Sequence, residues 1–228
     1  MKDKIIIITG AGKGLGKTMA DMLTAKGATV ISSGRQIESP GIKADVTHEE
    51  DLSNLMNEVI NKYGKIDIWI NNAGVWLPKK PIENFSADEV QDLFQTNFFG
   101  TFFGMRVAIR QMKEQKYGTI VNICSTTAFD GMNGSSGSAY VSSKYAIRGL
   151  TNCIRDELKD TNISVIGVYP GGFKSDLFNK TKPENFDEFM SVESVAEKIV
   201  NNLEQETPDF QLIIKRPGQI ITNEAKID

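Results

Sequence analysis

Two side chains with complementary acid–base chemistry stand four residues apart in the segment SAYVSSK, at residues 138–144. They are the phenol of Tyr140 and the ammonium group of Lys144. On an α-helix this spacing places both side chains on one face, one turn apart. At about 6 Å and an effective dielectric constant of about 20, an ammonium group favours a phenolate by roughly 3 kcal/mol, or about two pKa units. We therefore expect Lys144 to lower the pKa of Tyr140.

A glycine-rich segment near the start of the chain has the context of a phosphate-binding loop. The four isoleucines Ile5–Ile8 predict a strand buried on both faces, as in a parallel sheet. The segment TGAGKGLG follows at residues 9–16, and apolar residues at helical spacing come next. Glycines let a backbone approach a pyrophosphate, and a helix N-terminus supplies amides and a partial positive charge. The GxGxxG and Walker patterns do not fit, because Leu15 replaces the third glycine and no Gly-Lys-Ser/Thr end is present.

The end of the second predicted strand bears on the choice of dinucleotide. This strand spans residues 28–32 and is followed by Gly34 and Arg35. In dinucleotide-binding folds an acidic residue near this point binds the ribose 2′-hydroxyl, whereas an arginine accommodates a 2′-phosphate. Here Gly34 stands at the acid position, Arg35 can pair with a phosphate, and Lys13 adds a second cation. These residues favour NADP(H) over NAD(H) as the cofactor.

Two further predicted strands lead into polar residues. Residues 66–70 form an apolar run that ends in Asn-Asn-Ala-Gly at residues 71–74. Residues 118–123 form another, with Ser125 at its end. Ligands of open parallel sheets bind outside the carboxyl ends of the strands, so we expect these polar residues at the site. Between the two strands, residues 86–116 predict a long helical stretch with Asn97 in its middle.

Taken together, these motifs resemble the short-chain dehydrogenase/reductase family. The resemblance rests on Thr-Gly-x-x-x-Gly-x-Gly at residues 9–16, Asn-Asn-Ala-Gly at 71–74 and Tyr-x-x-x-Lys at 140–144, and it covers about residues 3 to 217. It implies an α/β fold, a Rossmann-type doubly wound parallel sheet of about seven strands with helices on both faces. We predict that residues 1–228 form a single domain.

The resemblance also implies roles for individual residues. Tyr140 would be the general acid in reduction and the base in oxidation, and Lys144 would bind the nicotinamide ribose. Ser125 would hydrogen-bond the substrate oxygen, and a kink at Asn97 would leave a carbonyl free to hold a relay water. The residues implied in cofactor binding are Gly10, Gly12, Lys13, Gly14, Leu15, Gly16, Arg35, Asp45, Val46, Asn72, Ala73, Gly74, Tyr140, Lys144, Pro170, Gly171, Phe173 and Ser175.

The chain departs from the family pattern in three places. Only residues 36–43 separate the second strand from Asp45, where most members carry a whole helix. Cys124 takes the place of the first serine of the family's Ser-Ser pair. The segment from Ser125 to Tyr140 is about two residues longer than usual and contains a flexible, glycine-rich stretch at residues 131–137. Thr126 and Thr127 are therefore fallback candidates for the catalytic hydroxyl.

Bulk properties exclude several classes of protein. A net charge of −3 gives no electrostatic case for nucleic acid, and no apolar run is long enough to span a bilayer. Cys124 and Cys153 lack metal-ligand spacing, and both are expected to be buried free thiols. The absence of a signal-peptide pattern leads us to expect a cytoplasmic protein.

The predicted function is hydride transfer between NADP(H) and a small carbonyl or alcohol substrate. A 3-oxoacyl-thioester reductase is the leading specific interpretation, and a pteridine-type reductase is an alternative. A non-catalytic dinucleotide-sensing protein is a third possibility, although a sensor has no need of the phenol–ammonium pair. Two long apolar helices, which pair between subunits in the family, predict a homodimer or homotetramer.

Overall fold

A single seven-stranded parallel sheet forms the centre of the computed structural model, which describes residues 1–130, 137–178, 181–183 and 185–221. The strands are β1 (Ile5–Thr9), β2 (Thr29–Gly34), β3 (Ile42–Lys43), β4 (Ile68–Asn71), β5 (Gly118–Ile123), β6 (Ile163–Pro170) and β7 (Gln211–Ile214). Their order across the sheet is β3-β2-β1-β4-β5-β6-β7, and each described pair is parallel. The predicted doubly wound α/β fold is confirmed.

Helices cover both faces of this sheet. They are α1 (Gly14–Ala25), α2 (Glu49–Tyr63), α3 (Ala87–Phe94), α4 (Gly100–Gln115), α5 (Thr127–Asp130), α6 (Ser138–Glu157) and α7 (Val192–Leu203). Side chains alternate between the faces of a strand, and β1 shows this directly. Ile6 and Ile8 belong to the apolar cluster with α1 and α7, whereas Ile5 and Ile7 belong to the cluster with α2 and α4. All four isoleucines are buried because β1 lies between β2 and β4 with both faces covered.

The crossover from β2 to β3 is a loop without a helix, as predicted from its length. Residues 35–41 make the connection, and β3 contains only Ile42 and Lys43. The predicted second strand ended at residue 32, but β2 continues to Gly34, which pairs with Lys43. The pairing with β3 extends the strand beyond its apolar run. As a result, the loop that carries Arg35 lies at an open flank of the sheet.

The long helical stretch is interrupted by one π-helical turn. Helix α3 begins with a capping box between Ser86 and Glu89. The π turn spans Gln95–Phe99, and the Gly100 amide donates to the carbonyl of Gln95, five residues earlier. Such turns insert one extra residue into a helix and are frequent at functional sites. The kink implied near Asn97 therefore exists, and it is a π turn.

Within the described residues, no helix is both long and apolar enough to cross a bilayer. Cys124 is buried, as predicted, but Cys153 is exposed. The prediction for Cys153 is wrong because its position on α6 faces away from the sheet. Most of the glycine-rich stretch predicted to be flexible, residues 131–136, lies outside the described residues.

Candidate active site

The glycine loop between β1 and α1 adopts conformations that require glycine at several positions. Gly10 and Gly14 have φ angles of +65° and +55°, in the left-handed region. A Cβ on Gly16 would lie 2.6 Å from the carbonyl oxygen of Gly10 and would collide with the side-chain amide of Asn72. That amide donates to the carbonyls of Thr9 and Gly10, at 2.9 and 3.1 Å. The loop is therefore held in place by the end of β4.

This loop leaves a cradle for an anionic group. Lys13 is the N-cap residue of α1 and makes no side-chain capping bond, and none of the residues in the first turn is acidic. A Cβ on Gly12 would meet no atom closer than 3.9 Å, so the space above the loop is open. Amides and the helix dipole favour a phosphate at such a terminus. The residues present therefore fit the pyrophosphate of a dinucleotide.

Two cations stand near the open flank. Arg35 and Lys13 are both exposed. A Cβ on Gly34 would meet no atom within 4 Å, so the position of the missing acidic residue is empty space. The Asp45 carboxylate accepts the backbone N–H and hydroxyl of Thr47, at 3.0 and 2.8 Å. Burial raises the pKa of Asp45, but these hydrogen bonds and the charge of Arg35 outweigh it, and the net pKa is lowered.

The side chain of Val46, the neighbour of Asp45, faces the interior of the protein. Its side chain is buried in the core, where a Cβ on Gly100 would lie 2.8 Å from Val46 Cγ2. Only the backbone of Val46 is therefore available to a cofactor.

The segment Asn72-Ala73-Gly74 joins the cradle to the catalytic candidates. The hydroxyl of Thr9 accepts the backbone N–H groups of Asn72 and Ala73, at 3.1 and 3.2 Å. A Cβ on Gly74 would lie 3.3 Å from the side-chain oxygen of Asn97 and 3.9 Å from Lys144 Nζ. The absence of a side chain at Gly74 keeps the space in front of Lys144 open.

Ser125, Tyr140 and Lys144 come together at the carboxyl edge of the sheet. Ser125 lies two residues beyond β5, and the other two occupy the first two turns of α6. The Tyr140 hydroxyl is hydrogen-bonded to Ser125. Lys144 Nζ lies 5.6 Å from the centroid of the Tyr140 ring and donates to the carbonyl of Ile123 at 3.2 Å. The three predicted catalytic side chains thus form one cluster.

The electrostatics of this cluster differ from the expectation. Burial raises the pKa of Tyr140, and the hydrogen bond from Ser125 only partly opposes that effect. Burial lowers the pKa of Lys144, a residue that is only 6% exposed. The net pKa of Tyr140 is therefore shifted in the direction opposite to the expected one, because desolvation of the phenol dominates. Tyr140 is held as a neutral phenol, which is the form needed to donate a proton.

Cys124 lies beside the cluster as an unreactive thiol. Its Sγ donates to the carbonyl of Lys144 at 3.1 Å, and burial raises its pKa to about 11. A thiol with so high a pKa is not a nucleophile near neutral pH.

Asn97 is fully buried and links three segments. Its side chain accepts the N–H of Val75 at 2.8 Å and donates to the carbonyl of Val75 and to the hydroxyl of Ser143, at 3.0 and 3.1 Å. Its main-chain carbonyl, implied to be free for a water, accepts the hydroxyl of Thr101 at 2.7 Å. The Thr101 hydroxyl therefore takes one of the two acceptor positions of this carbonyl.

The segment after β6 closes the other side of the site. The carbonyl of Pro170 accepts the N–H of Thr126 at 3.0 Å, and Phe173 forms an isolated parallel bridge with Met190. The hydroxyl of Ser175 accepts the N–H of Leu177 at 3.4 Å. A Cβ on Gly14 would lie 3.9 Å from Ser175 Cβ, so this segment reaches the glycine loop.

A cavity of about 510 Å³ opens in front of Ser125 and Tyr140. Besides these two residues and the segment after β6, its wall includes side chains that the sequence patterns did not single out. They are Trp76, Lys79, Leu177, Arg216 and Gln219. Most of them lie in connections far apart in the chain, where no local pattern marks them. Among the residues described, no group of three His, Cys, Asp or Glu side chains is placed to hold a metal ion.

Residues 4–185 match the family model described as short chain dehydrogenase. The chain belongs to the short-chain dehydrogenase/reductase family. An uncharacterized oxidoreductase of Staphylococcus saprophyticus is 30% identical to it, over 78% of this chain and 77% of the relative. Members of this family are oxidoreductases that act on CH–OH groups with a nicotinamide dinucleotide, and this chain is one of them.

Solved structures show the same fold over nearly the whole chain. The aldohexose dehydrogenase of Thermoplasma acidophilum, in ligand-free form, is 26% identical with a TM-score of 0.81, and the match covers 93% of this chain and 92% of that one. The structure of ElxO with NADP bound is 27% identical with a TM-score of 0.83, covering 94% and 97%.

Proposed function

We propose that this short-chain dehydrogenase/reductase transfers a hydride between NADP(H) and the carbonyl or carbinol carbon of a small molecule, as a single catalytic domain. The observation that carries the proposal is the cluster of Ser125, Tyr140 and Lys144 beside the 510 Å³ cavity. A cavity of this size suits a small-molecule substrate.

Each side chain has a defined task in the reduction. Tyr140, a neutral phenol, donates its proton to the substrate oxygen as the carbonyl carbon becomes a carbinol. Ser125 hydrogen-bonds that oxygen, where negative charge develops. Lys144 donates one N–H to the carbonyl of Ile123, and its other N–H groups have no partner within the described chain. Those N–H groups are available to the hydroxyls of the nicotinamide ribose.

NADPH, when bound, supplies the hydride. The residues that would hold it follow the edge of the sheet from the glycine loop to the segment after β6. Gly10 to Gly16 would face the pyrophosphate, Asp45 and the Val46 backbone the adenine, and Asn72 to Gly74 the adenosine ribose. The backbone of Phe173 and the hydroxyl of Ser175 would hold the carboxamide.

The preference for NADP(H) over NAD(H) is proposed from the charges at the end of β2. Arg35 and Lys13 are exposed cations near the point where a 2′-phosphate would lie, and Gly34 offers no carboxylate to repel it. ElxO, which resembles this chain, was solved with NADP bound.

A homodimer or homotetramer is proposed from the aromatic surface of α4 and α6. Phe99 and Tyr145 are each 41% exposed, and the rings of Phe98, Phe102 and Phe103 pack in sequence along the π turn and α4. Exposed aromatic patches of this kind are typical of protein interfaces.

The test is NADPH oxidation over a panel of ketones, aldehydes, 3-oxoacyl thioesters and pterins. The last two classes are included because the sequence favours them as specific substrates. With any compound that is turned over, Tyr140→Phe should lower kcat by about 100-fold or more and leave NADPH affinity unchanged. Undiminished turnover by this variant would contradict the role of Tyr140. Tight NADPH binding with no turnover of any class would favour the dinucleotide sensor instead.

A further inference from the structure

The described wall of the cavity carries positive charge and no carboxylate. Arg216 and Lys79 line it, whereas the other described lining residues are uncharged at neutral pH. Lys79 follows β4 and Arg216 follows β7, and Ser125 follows β5, which lies between those two strands in the sheet. Both cations therefore line the cavity that Ser125 also lines.

Arg216 is positioned by its surroundings but has unused hydrogen-bonding capacity. Its guanidinium carbon lies 5.2 Å from the centroid of the Phe189 ring, a cation–π distance. Its Nε is buried and has no hydrogen-bond partner among the described residues. A buried N–H without a partner is costly, and native proteins rarely leave one. A stacked guanidinium still presents its N–H groups in its own plane, so a ligand oxygen can satisfy them.

The backbone around Arg216 is tied to the catalytic segment. The Arg216 N–H donates to Gln219 Oε1 at 3.1 Å, and Gln219 Nε2 donates to the hydroxyl of Thr126 at 3.0 Å. Thr126 is the neighbour of Ser125. A Cβ on Gly171 would lie 3.1 Å from Arg216 Cγ, so the arginine also packs against the segment after β6. These contacts connect Arg216 to Ser125 through the side chains of Gln219 and Thr126.

Lys79 differs from its neighbour Lys80. Lys80 pairs with Glu89 at 2.8 Å, whereas Lys79 is exposed and forms no ion pair with any described residue. Lys79 therefore adds positive potential at the mouth of the cavity without being neutralised locally.

Part of the remaining wall is a cluster of aromatic rings. Phe178 packs edge-on against Trp76 and Phe189, with ring centroids 5.2 and 5.5 Å apart. This arrangement suits an apolar, ring-sized body between the reacting carbonyl and the cations.

We propose that Arg216 binds a carboxylate of the substrate, so that the substrate class is an oxo acid with an apolar body. The inference rests on the proposed hydride transfer for the reacting carbonyl, but the anion site itself does not depend on turnover. Arginine and carboxylate form two parallel N–H···O bonds, which fixes the orientation of the ligand as well as its charge. Lys79 attracts the same anion at the mouth of the cavity.

The test compares two probes of the same shape, 3-benzoylpropanoate and its primary amide. We expect kcat/KM with NADPH to be at least 10-fold higher for the acid. Arg216→Met keeps an unbranched stem over Phe189 and removes the charge, so it should lower kcat/KM for the acid about 10- to 100-fold and leave the amide unchanged. Arg216→Lys keeps the positive charge but cannot form two parallel N–H···O bonds, so it should retain only part of the preference for the acid over the amide. Lys198→Met, on the exposed face of α7, removes one positive charge outside the cavity and should change neither value.

Equal kcat/KM for the acid and the amide in the wild type would overturn the proposal. An Arg216→Met variant that lowers kcat/KM for the acid and the amide to the same extent would overturn it as well. A 3-oxoacyl thioester turned over faster than any oxo acid would overturn it as well. If no ketone is reduced, the proposed function fails, and the anion site is judged by calorimetric titration with 3-benzoylpropanoate. Binding that is lost in Arg216→Met supports the site, and no binding to the wild type overturns it. If Arg216→Met does not fold, Arg216→Lys and the acid–amide comparison decide.

Discussion

The Oγ atom of Ser125 accepts two hydrogen bonds from Thr127, from its backbone N–H at 3.2 Å and from its hydroxyl at 3.0 Å. Both bonds occupy acceptor positions of the serine oxygen, so its own hydrogen is directed elsewhere. Tyr140 is the neighbour that the Ser125 hydroxyl reaches. Thr127, a fallback candidate for the catalytic hydroxyl in the sequence, thus holds the Ser125 oxygen through both of these bonds.

Removing the Thr127 hydroxyl should loosen Ser125 without removing any catalytic group. We expect Thr127→Val to lower kcat about 3- to 10-fold, the usual consequence of losing one hydrogen bond, with little change in NADPH affinity. Thr127→Ser keeps the hydroxyl and serves as the matched control. Steady-state kinetics with the best substrate from the panel provide the measurement. Wild-type kcat in Thr127→Val would show that the backbone N–H alone positions Ser125.

Substitution by alanine should have different effects at two glycines of the glycine loop between β1 and α1. A Cβ on Gly12 has open space, so Gly12→Ala should fold normally but weaken NADPH binding about 10-fold or more by blocking close approach. A Cβ on Gly16 would crowd the Gly10 carbonyl at 2.6 Å, so Gly16→Ala should lose about 1–3 kcal/mol of folding stability. Thermal denaturation and a fluorescence titration with NADPH separate the two effects. Equal losses of stability in both variants would contradict the geometry of the loop.

Substitutions at the end of β2 should shift the cofactor preference from NADPH to NADH. We expect Arg35→Ala to weaken NADPH about 10- to 100-fold and NADH much less, because only NADPH carries the 2′-phosphate. The empty space at Gly34 accommodates a side chain, so Gly34→Asp combined with Arg35→Ala should favour NADH. Lys113→Ala, in the last turn of α4, is the control for loss of one positive charge. Equal losses for the two cofactors in Arg35→Ala would refute the assignment of Arg35.

The carboxylate of Asp67 should make the free energy of unfolding depend on pH in the acidic range. Its buried carboxylate accepts the N–H of Ile5 at 2.8 Å and pairs with Lys65 and Lys4, at 2.9 and 3.2 Å. Burial raises the pKa of Asp67, but these partners outweigh it and the net pKa is lowered. A carboxyl whose pKa is lower in the folded state stabilises the fold above its unfolded pKa of about 4, and this contribution is lost as the pH falls further.

We therefore expect Asp67→Asn to cost about 1–2 kcal/mol at pH 7, since the two lysines are partly exposed. The difference from wild type should shrink below about pH 4. Urea denaturation at pH 7, 5 and 3.5 measures it, and Asp21→Asn, which breaks an exposed pair with Lys17, is the control. A constant difference across this range would show that Asp67 acts through packing alone.

Much of the fold follows from local patterns in the chain. Isoleucines at four consecutive positions predict a strand covered on both faces, and β1 is such a strand. The Asn71 side chain, at the end of the predicted strand, donates to Asn122 on β5 at 2.9 Å and so links the two strands. The predicted ends of strands were less accurate, as β2 shows. Pairing with a neighbouring strand decides where a strand stops, and the local sequence does not specify that pairing.

Local sequence specifies the groups whose spacing is local. These are the glycine loop, the four-residue interval from Tyr140 to Lys144, and Ser125 at a strand end. These arise from the geometry of one turn or one helix, which a short segment specifies. Tertiary structure alone decided the protonation of Tyr140, because desolvation depends on what is packed around it. It also decided the contact of Thr127 with Ser125 and the place of Arg216 in the cavity wall, since side chains from separate loops meet only when the sheet has brought their strand ends together.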